Sequence, residues 1–174
     1  PPGRPFLGGG TRPPAPPPDP DYVDLGLPSG LLWATRSVGS MSPTGRGLYF
    51  SWGNVDGHPA GGSYVFSPAA YEDTPGAGLT SNIDPSHDAA SVVWGQDWRM
   101  PSYEDFQELK SNCTAFWVTV DGVNACKFVS NVNGKEVLFP AHGRMGSGGL
   151  DNDNLQGWYW STYYGGESSA RGLI

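Results

Sequence analysis

Residues 101–130 read PSYEDFQELKSNCTAFWVTVDGVNACKFVS, and this stretch decides the fold class. Pro101 and Ser102 begin a predicted helix with an acidic first turn, which suits the positive end of the helix dipole. The helix continues to about Cys113, where the apolar period changes from helical to alternating. The Asp-Gly pair at 121–122 then predicts a hairpin between two strands. A helix followed by an antiparallel hairpin indicates an α+β fold.

Short elements continue on both sides of this stretch. Before it, strands are predicted over 22–27 and 31–35, and Asp84 or Ser86 caps a second, short helix over 88–93. After it we expect a strand over 136–139, a Gly-rich loop over 141–150, an aromatic strand over 158–164 and a final strand over 170–174. The sequence therefore predicts two short helices, small antiparallel sheets and long irregular loops.

The composition excludes several classes of protein. The 174 residues include 26 Gly and 17 Pro, which disfavour long helices. The formal net charge of −7 argues against nucleic acid as a partner, because a phosphate backbone needs a basic face. The apolar runs fall short of the roughly 20 residues that span a bilayer, so we expect no membrane insertion.

The chain divides into a tail and one domain. Residues 1–20 carry nine prolines and four glycines and cannot bury a core. They are predicted to form a disordered Pro/Gly-rich tether. Residues 21–174 are long enough for a single domain, and their seven Trp, eight Tyr and six Phe supply a core.

Several phrases within 21–174 resemble a known family. They are YVDLGLPSGLLWAT at 22–35, YFSWG at 49–53, DAA at 88–90, WGQDWRMPS at 94–102 and WST at 160–162. Together they resemble the Fibrobacter succinogenes major paralogous domain family, common in surface proteins of gut Bacteroidetes. The resemblance implies a C-type-lectin-like fold, similar to formylglycine-generating enzymes, to retroelement-diversified variable proteins and to fimbrial tip domains.

The resemblance also implies roles for individual residues. Trp33, Trp52, Trp94 and Trp98 would fill the core, and Arg99 would form a structural ion pair or hydrogen bond. Members of the family usually continue with further strands after an Ala-Arg-Gly-Leu-like strand, whereas this sequence ends at Ile174. The domain is then either C-terminally incomplete or has its sheet completed in another way.

Catalysis is not expected. The enzyme to which the fold is related works through cysteine thiols near the C-terminal part of its domain, and residues 127–174 contain no cysteine. Cys113 and Cys126 are expected to be two separate buried thiols rather than a disulfide, although a disulfide stays an alternative. The three histidines lack the spacing of a zinc site. We therefore assign no catalytic residue and predict that the chain is not an enzyme.

Calcium is the one cofactor with candidate ligands. Residues 151–154 place hard oxygen ligands at alternating positions, with Asp151 and Asp153 as weak candidates. An EF-hand would need Gly and Glu where Gln156 and Thr162 stand. The segment is therefore predicted to be a solvated polar loop, and no metal or other cofactor is expected.

Residues 144–169 are the predicted binding face, because they combine adaptable polar side chains with rigid aromatic ones. Alternation along 158–164 places Trp158, Trp160 and Thr162 on one face and Tyr159, Ser161 and Tyr163 on the other. Because WST at 160–162 belongs to the family resemblance, the resemblance implies that Trp160 faces the core and that Tyr159 and Tyr163 face outward. The candidate ligand-binding residues are Asp151, Asn152, Asp153, Asn154, Gln156, Tyr159, Tyr163, Tyr164, Glu167 and Ser168. Their composition is compatible with retroelement-driven diversification.

The predicted function is a secreted or surface-displayed bacterial module, of adhesin or variable receptor-binding type, for an extracellular protein or glycan. The alternative is a fimbrial or oligomer-assembly module without its own ligand, which would accept a partner's strand at the 170–174 edge. A formylglycine-generating-enzyme-like oxidase is a third possibility, and the missing cysteines disfavour it.

Overall fold

A computed structural model of the chain describes residues 20–61, 83–146, 148–164 and 170–173. These ranges hold two α-helices, a 3₁₀ turn at Pro85–His87 and nine short strands in four small antiparallel sheets. This mixed arrangement is compatible with the predicted α+β class. Within these ranges, no helix is both long and apolar enough to cross a membrane.

Both predicted helices form. The first, α1, spans Ala89–Trp94, and the Asp88 carboxylate accepts hydrogen bonds from the first backbone N–H groups. Asp84 caps the preceding 3₁₀ turn instead. The second, α2, spans Tyr103–Asn112, and Ser102 and Asp105 form a reciprocal capping box at its start. The cap residue predicted for α2 is confirmed, whereas the cap of α1 lies at Asp88 rather than at the predicted Asp84 or Ser86.

The predicted hairpin after α2 is confirmed and is longer than expected. Strand β3 (Cys113–Val120) pairs with β4 (Val123–Ser130) along its whole length. The connecting Asp121 and Gly122 have φ of 51° and 79°, as the two central residues of a type I′ turn require. Strand β5 (Glu136–Pro140) pairs with the other side of β4, so the order is β3-β4-β5.

The remaining strands form two-stranded sheets. Strand β1 pairs with β2, β6 with β7 and β8 with β9, all antiparallel. Their bounds are Tyr22–Asp24 for β1, Leu32–Ala34 for β2, His142–Gly146 for β6, Gly149–Asp153 for β7, Tyr159–Tyr164 for β8 and Ala170–Leu173 for β9. The predicted strands at both ends of the domain are thus confirmed, with shorter bounds at the start.

The Gly-rich loop predicted over 141–150 is wrong, because this segment forms the β6–β7 hairpin. Gly143 has φ +67° and lies so close to the opposite strand that an added Cβ would meet the Asp151 carbonyl oxygen at 2.1 Å. Glycine is therefore what allows the two strands to approach here, rather than a sign of an irregular loop.

The core lies between α2 and the three-stranded sheet. Its buried side chains are Leu25, Leu27, Trp33, Phe106, Leu109, Cys113, Phe128 and Val137. Phe139 packs edge-on against several of these rings, with its centroid 5.5 Å from that of Phe128. Cys113 and Cys126 are free thiols, because Cys113 stands opposite Ser130 and Cys126 opposite Trp117. The interpretation as two separate thiols is confirmed.

Three of the four tryptophans expected in the core are buried. Trp33 and Trp52 are 7% and 2% exposed, and Trp94 lies at 9%. Trp98 is only half-buried and packs edge-on against Trp94 at 5.7 Å between ring centroids. Trp98 is therefore less buried than expected, because it follows α1 and lies at the edge of the core. Arg99 forms the expected structural ion pair, with Asp105 at 2.6 Å.

Candidate functional site: an arginine–tryptophan cleft

A cleft of about 960 Å³ opens beside the core. Strand β2, helix α1, the end of β5, strand β6 and the start of β8 all contribute to its walls. We call it the arginine–tryptophan cleft. Its aromatic lining comprises Tyr22, Trp33, Tyr49, Phe50, Trp52, Trp94, Trp98, Phe106, Phe139, Trp158, Tyr159 and Trp160.

All four arginine side chains that the structure describes line this cleft. They are Arg36, Arg46, Arg99 and Arg144. Two acidic side chains, Asp97 and Asp105, line the cleft among the residues that the structure describes. Two further carboxylates lie just outside the wall, Asp153 against Arg46 and Asp151 against Arg144, so the cleft and its rim hold four arginine and four aspartate side chains.

Two guanidinium groups lie over tryptophan rings of the cleft. The Arg36 guanidinium carbon is 5.7 Å from the ring centre of Trp94, and that of Arg144 is 4.9 Å from Trp158. Both distances fall within the range of cation–π attraction. The Arg144 side chain is 52% exposed, and the nearest carboxylate oxygen, on Asp151, lies 3.9 Å away. Arg144 thus presents a positioned cation at the mouth of the cleft.

The wall formed by β8 is fixed by hydrogen bonds to distant backbone. The indole N–H of Trp160 donates to the Phe50 carbonyl at 2.8 Å, and that of Trp52 donates to the Ser161 carbonyl at 2.8 Å. These two bonds run in opposite directions between the same pair of segments. The strand therefore holds its place against the 50–52 segment without a ladder of backbone hydrogen bonds between the two.

Two indole N–H groups in the cleft wall have no hydrogen-bond acceptor among the described residues. They belong to Trp33 and Trp94, and both nitrogen atoms are buried. A buried donor without a partner costs about 1–3 kcal/mol. The cleft is therefore the place where the described part of the protein leaves hydrogen-bonding capacity unused.

A polar network fastens the β6–β7 hairpin to the rim of the cleft. The Nη2 nitrogen of Arg46 donates to both carboxylate oxygens of Asp153, at 2.7 and 2.8 Å, so both contacts are charge-assisted hydrogen bonds. It also donates to the Tyr49 hydroxyl at 2.7 Å, and that hydroxyl donates to the His142 carbonyl at 2.5 Å. The His142 Nε2–H reaches the Thr44 carbonyl at 3.1 Å.

The electrostatics of this network favour a neutral histidine. Burial and then the nearby Arg46 guanidinium lower the pKa of His142 below its usual range. Burial raises the pKa of the Tyr49 hydroxyl, so it stays a proton donor to the His142 carbonyl. The network therefore works at neutral pH with one cation, Arg46, and one anion, Asp153.

The predicted polar site residues divide into two groups. Asp151, Asn152 and Gln156 are exposed and remain candidates for ligand contact. Asp153 is exposed too, but its carboxylate is held by Arg46. The Asn154 side-chain oxygen accepts a hydrogen bond from the Asn124 backbone N–H at 2.7 Å. Asp153 and Asn154 thus hold the hairpin in place, which departs from the expectation of a simple solvated loop.

The orientation predicted for the aromatic strand is wrong at Trp158 and Tyr159, whereas Thr162 is buried as predicted. Tyr159 packs against the core, edge-on to Phe139 at 5.1 Å, and its hydroxyl donates to the Pro140 carbonyl at 2.7 Å. Trp158, which was expected inside, is 38% exposed at the cleft, and Trp160 is only half-buried there. The ring of Tyr159 fills the space at the end of the sheet, so the strand meets the core one residue out of the predicted register.

Further along the strand, the alternation breaks down. Ser161 and Thr162 are both buried, and the pairing with β9 is irregular between Trp160 and Tyr164. Tyr163 is half-buried and lies against Tyr103, with 6.2 Å between ring centroids, so it is not the open contact residue expected. The Tyr164 side chain, Glu167 and Ser168 lie outside the described residues.

The described residues hold no cluster of three or more His, Cys, Asp or Glu side chains that could bind a metal. Of the weak calcium candidates, Asp153 is bound to Arg46, and Asp151 faces Arg144. A calcium ion would have to displace a guanidinium group from Asp153.

Sequence reasoning missed the arginines of the cleft. Arg36, Arg46 and Arg144 lie far apart in the chain and follow no motif. One signal was present, because the sequence has seven Arg but only three Lys. Arginine in excess of lysine is typical of planar recognition of carboxylates and of stacking on aromatic rings.

Comparison with known proteins found no family model, no curated protein and no solved structure that matches the chain. The resemblance to the Fibrobacter succinogenes major paralogous domain family therefore stays a prediction.

Proposed function

We propose that this chain is a secreted or surface-displayed ligand-binding module with a C-type-lectin-like fold, and that the arginine–tryptophan cleft is its binding site. The observation that carries the proposal is the concentration of tryptophan and every described arginine side chain around one cleft. Tryptophan, tyrosine and arginine dominate the energetically important positions of binding interfaces. A site of this composition is suited to recognition.

The C-type-lectin-like part of the proposal draws on the arrangement of elements. A capped helix, a long hairpin and several two-stranded sheets joined by long segments are compatible with it. The tryptophans of three family-like phrases, Trp33, Trp52 and Trp94, are all buried. The sequence segments that carry the family resemblance thus supply three buried tryptophans of the fold.

The binding face that we propose is shifted from the one expected from sequence. It keeps the exposed hairpin residues Asp151 and Asn152 and takes in Arg144 and Trp158, which lie within the predicted range 144–169 but were not among the candidate ligand-binding residues. It leaves out Tyr159, whose ring and hydroxyl are engaged in the core. The rim hairpin and the cleft then form one continuous surface, because Arg144 belongs to both.

We propose a binding role rather than catalysis. Burial raises the pKa of the Cys113 and Cys126 thiols, which keeps them protonated and poorly nucleophilic at neutral pH. Neither cysteine lines the arginine–tryptophan cleft. Thiol chemistry of the kind that the related enzyme performs therefore has no support at this site.

The test is a screen of the purified chain on arrays of glycans and of extracellular proteins, with two matched variants. We expect Trp158→Ala to weaken binding of any hit at least tenfold, because Trp158 is 38% exposed at the cleft. Trp117→Ala is the control, since Trp117 is 58% exposed on β3 and does not line the cleft. Equal effects of the two variants would contradict the proposed site.

One observation favours the assembly role as a second candidate. Among the described residues, β9 pairs only with β8, so one edge of this two-stranded sheet presents unpaired backbone groups. An assembly module would give blank arrays and would associate with itself as concentration rises in sedimentation velocity. A proline introduced at Gly172, within β9, would then reduce that association.

A further inference from the structure

The cleft also indicates the chemistry of its ligand, an inference that rests on the proposed function. We infer that it binds an extended polypeptide segment in which apolar side chains are accompanied by aspartate or glutamate. Two features of the cleft support this: the half-exposed Arg144 guanidinium at its rim and the apolar character of its lining.

The charge at the rim favours an anionic ligand. Arg99 is neutralised by Asp105 at 2.6 Å and Arg46 by Asp153 at 2.7 Å. Arg144 lies 3.9 Å from Asp151, beyond the length of a direct N–H···O hydrogen bond, and its side chain is half exposed. Its guanidinium is therefore positioned by Trp158 and can pair with an arriving carboxylate in the bidentate manner.

The depth of the cleft favours a polypeptide over a glycan. Its inner wall is carbon-rich, with Phe50, Phe106, Leu138 and Phe139 among the lining residues. A saccharide would lose water from many hydroxyl groups there, and each hydroxyl without a partner costs free energy. Apolar side chains gain about 25 cal/mol for each Å² removed from water. A volume of about 960 Å³ admits several such side chains.

The experiment is a selection of random dodecapeptides displayed on phage against the immobilised chain. We expect the selected peptides to be enriched in Asp or Glu together with Leu, Ile, Val or Phe, and depleted in Lys and Arg. The consensus peptide is then synthesised and its affinity measured by fluorescence anisotropy. We expect Arg144→Gln to weaken it at least tenfold, while Lys135→Gln leaves it unchanged, because Lys135 carries the same charge away from the cleft.

Circular dichroism checks that both variants fold. Selection of basic or uncharged peptides, equal effects of Arg144→Gln and Lys135→Gln, or failure to enrich any peptide overturns the inference. If glycans then bind and Trp158→Ala abolishes that binding, the proposed function stands although the inference of a peptide ligand fails. If neither peptides nor glycans bind, the proposed function and the inference both fail.

Discussion

The core around α2 and the β6–β7 rim of the cleft are held by different kinds of contact. In the core, Phe106 and Leu109 of the helix are 2% and 0% exposed and pack against the three-stranded sheet. In the rim, the hairpin is fastened by the Arg46–Asp153 ion pair and by the Tyr49 hydroxyl on the His142 carbonyl. One region relies on buried apolar area and the other on a few directed polar bonds.

The difference bears on where a binding face can evolve. Exposed side chains on the rim can change as long as Arg46 and Asp153, which hold the hairpin in place, are kept. The exposed positions contribute little packing energy. A change in the core is felt by every neighbour, since protein interiors are close-packed. We therefore expect core substitutions to lower the free energy of unfolding strongly. In the rim, we expect a substitution to lower it only where the side chain holds the hairpin in place.

The largest expected effect tests the core. Trp33→Ala should lower the free energy of unfolding by about 3–5 kcal/mol, because it leaves a cavity among the rings of Phe106 and Phe139. Trp98→Ala should cost less, about 1–2 kcal/mol, since Trp98 is only half-buried. Urea denaturation of both variants measures the difference. Equal costs would show that Trp98 belongs to the core as fully as Trp33 does.

The next largest effect tests the rim backbone. Gly143→Ala should lower the stability of the hairpin by about 2–3 kcal/mol, because φ is +67° and the new Cβ would meet the Asp151 carbonyl oxygen at 2.1 Å. Amide hydrogen exchange at Asn154, which donates to the Ala141 carbonyl, reports the loss. Gly148→Ala is the control, since nothing lies within 4 Å of its added Cβ. Similar exchange in both variants would contradict the close approach of the strands.

The same contrast explains what the sequence could predict. Helix α2 follows from a local signal, Ser102 with acidic residues and the Phe106–Leu109 spacing, and the hairpin after it follows from alternation around Asp121-Gly122. The β6–β7 hairpin gives no such signal, because Arg46 lies 107 positions from Asp153 in the chain. Periodicity reports local structure, whereas a clamp between distant polar residues is set by the folded chain.

The candidate site was predictable only in part for the same reason. Asp151, Asn152 and Gln156 are exposed as expected of polar residues flanked by glycine. Tyr159 was assigned to the wrong face, because a single register step exchanges the two faces of a strand. That step is set by the Tyr159 hydroxyl on the Pro140 carbonyl, a contact across 19 positions.

A smaller effect distinguishes two aspartates of β7, Asp153, which is paired with Arg46, and Asp151, which is not held so closely. Asp153→Asn should cost about 0.5–1 kcal/mol, because it weakens the ion pair with Arg46, whose two side chains are 41% and 31% exposed and so partly screened by solvent. Asp151→Asn should stay within about ±0.5 kcal/mol, since its pairing with Arg144 is long at 3.9 Å. Urea denaturation and exchange at Asn154 measure both. A larger loss for Asp151→Asn would reverse their roles.

The smallest expected effect is the pH dependence of the stability of the β6–β7 hairpin. Burial, and then Arg46, lower the pKa of His142 in the folded chain, so the unfolded chain binds a proton more readily. The stability that this contributes is complete above the unfolded pKa of about 6.5 and falls as the pH drops through the folded value. Exchange protection at Asn154 should therefore weaken between pH 7.5 and 5.5, whereas amides of α2 should not follow. His142→Gln should remove this dependence. A wild-type rim that keeps its protection at pH 5.5 would show that the imidazole is not held neutral, because protonation would then cost the hairpin nothing.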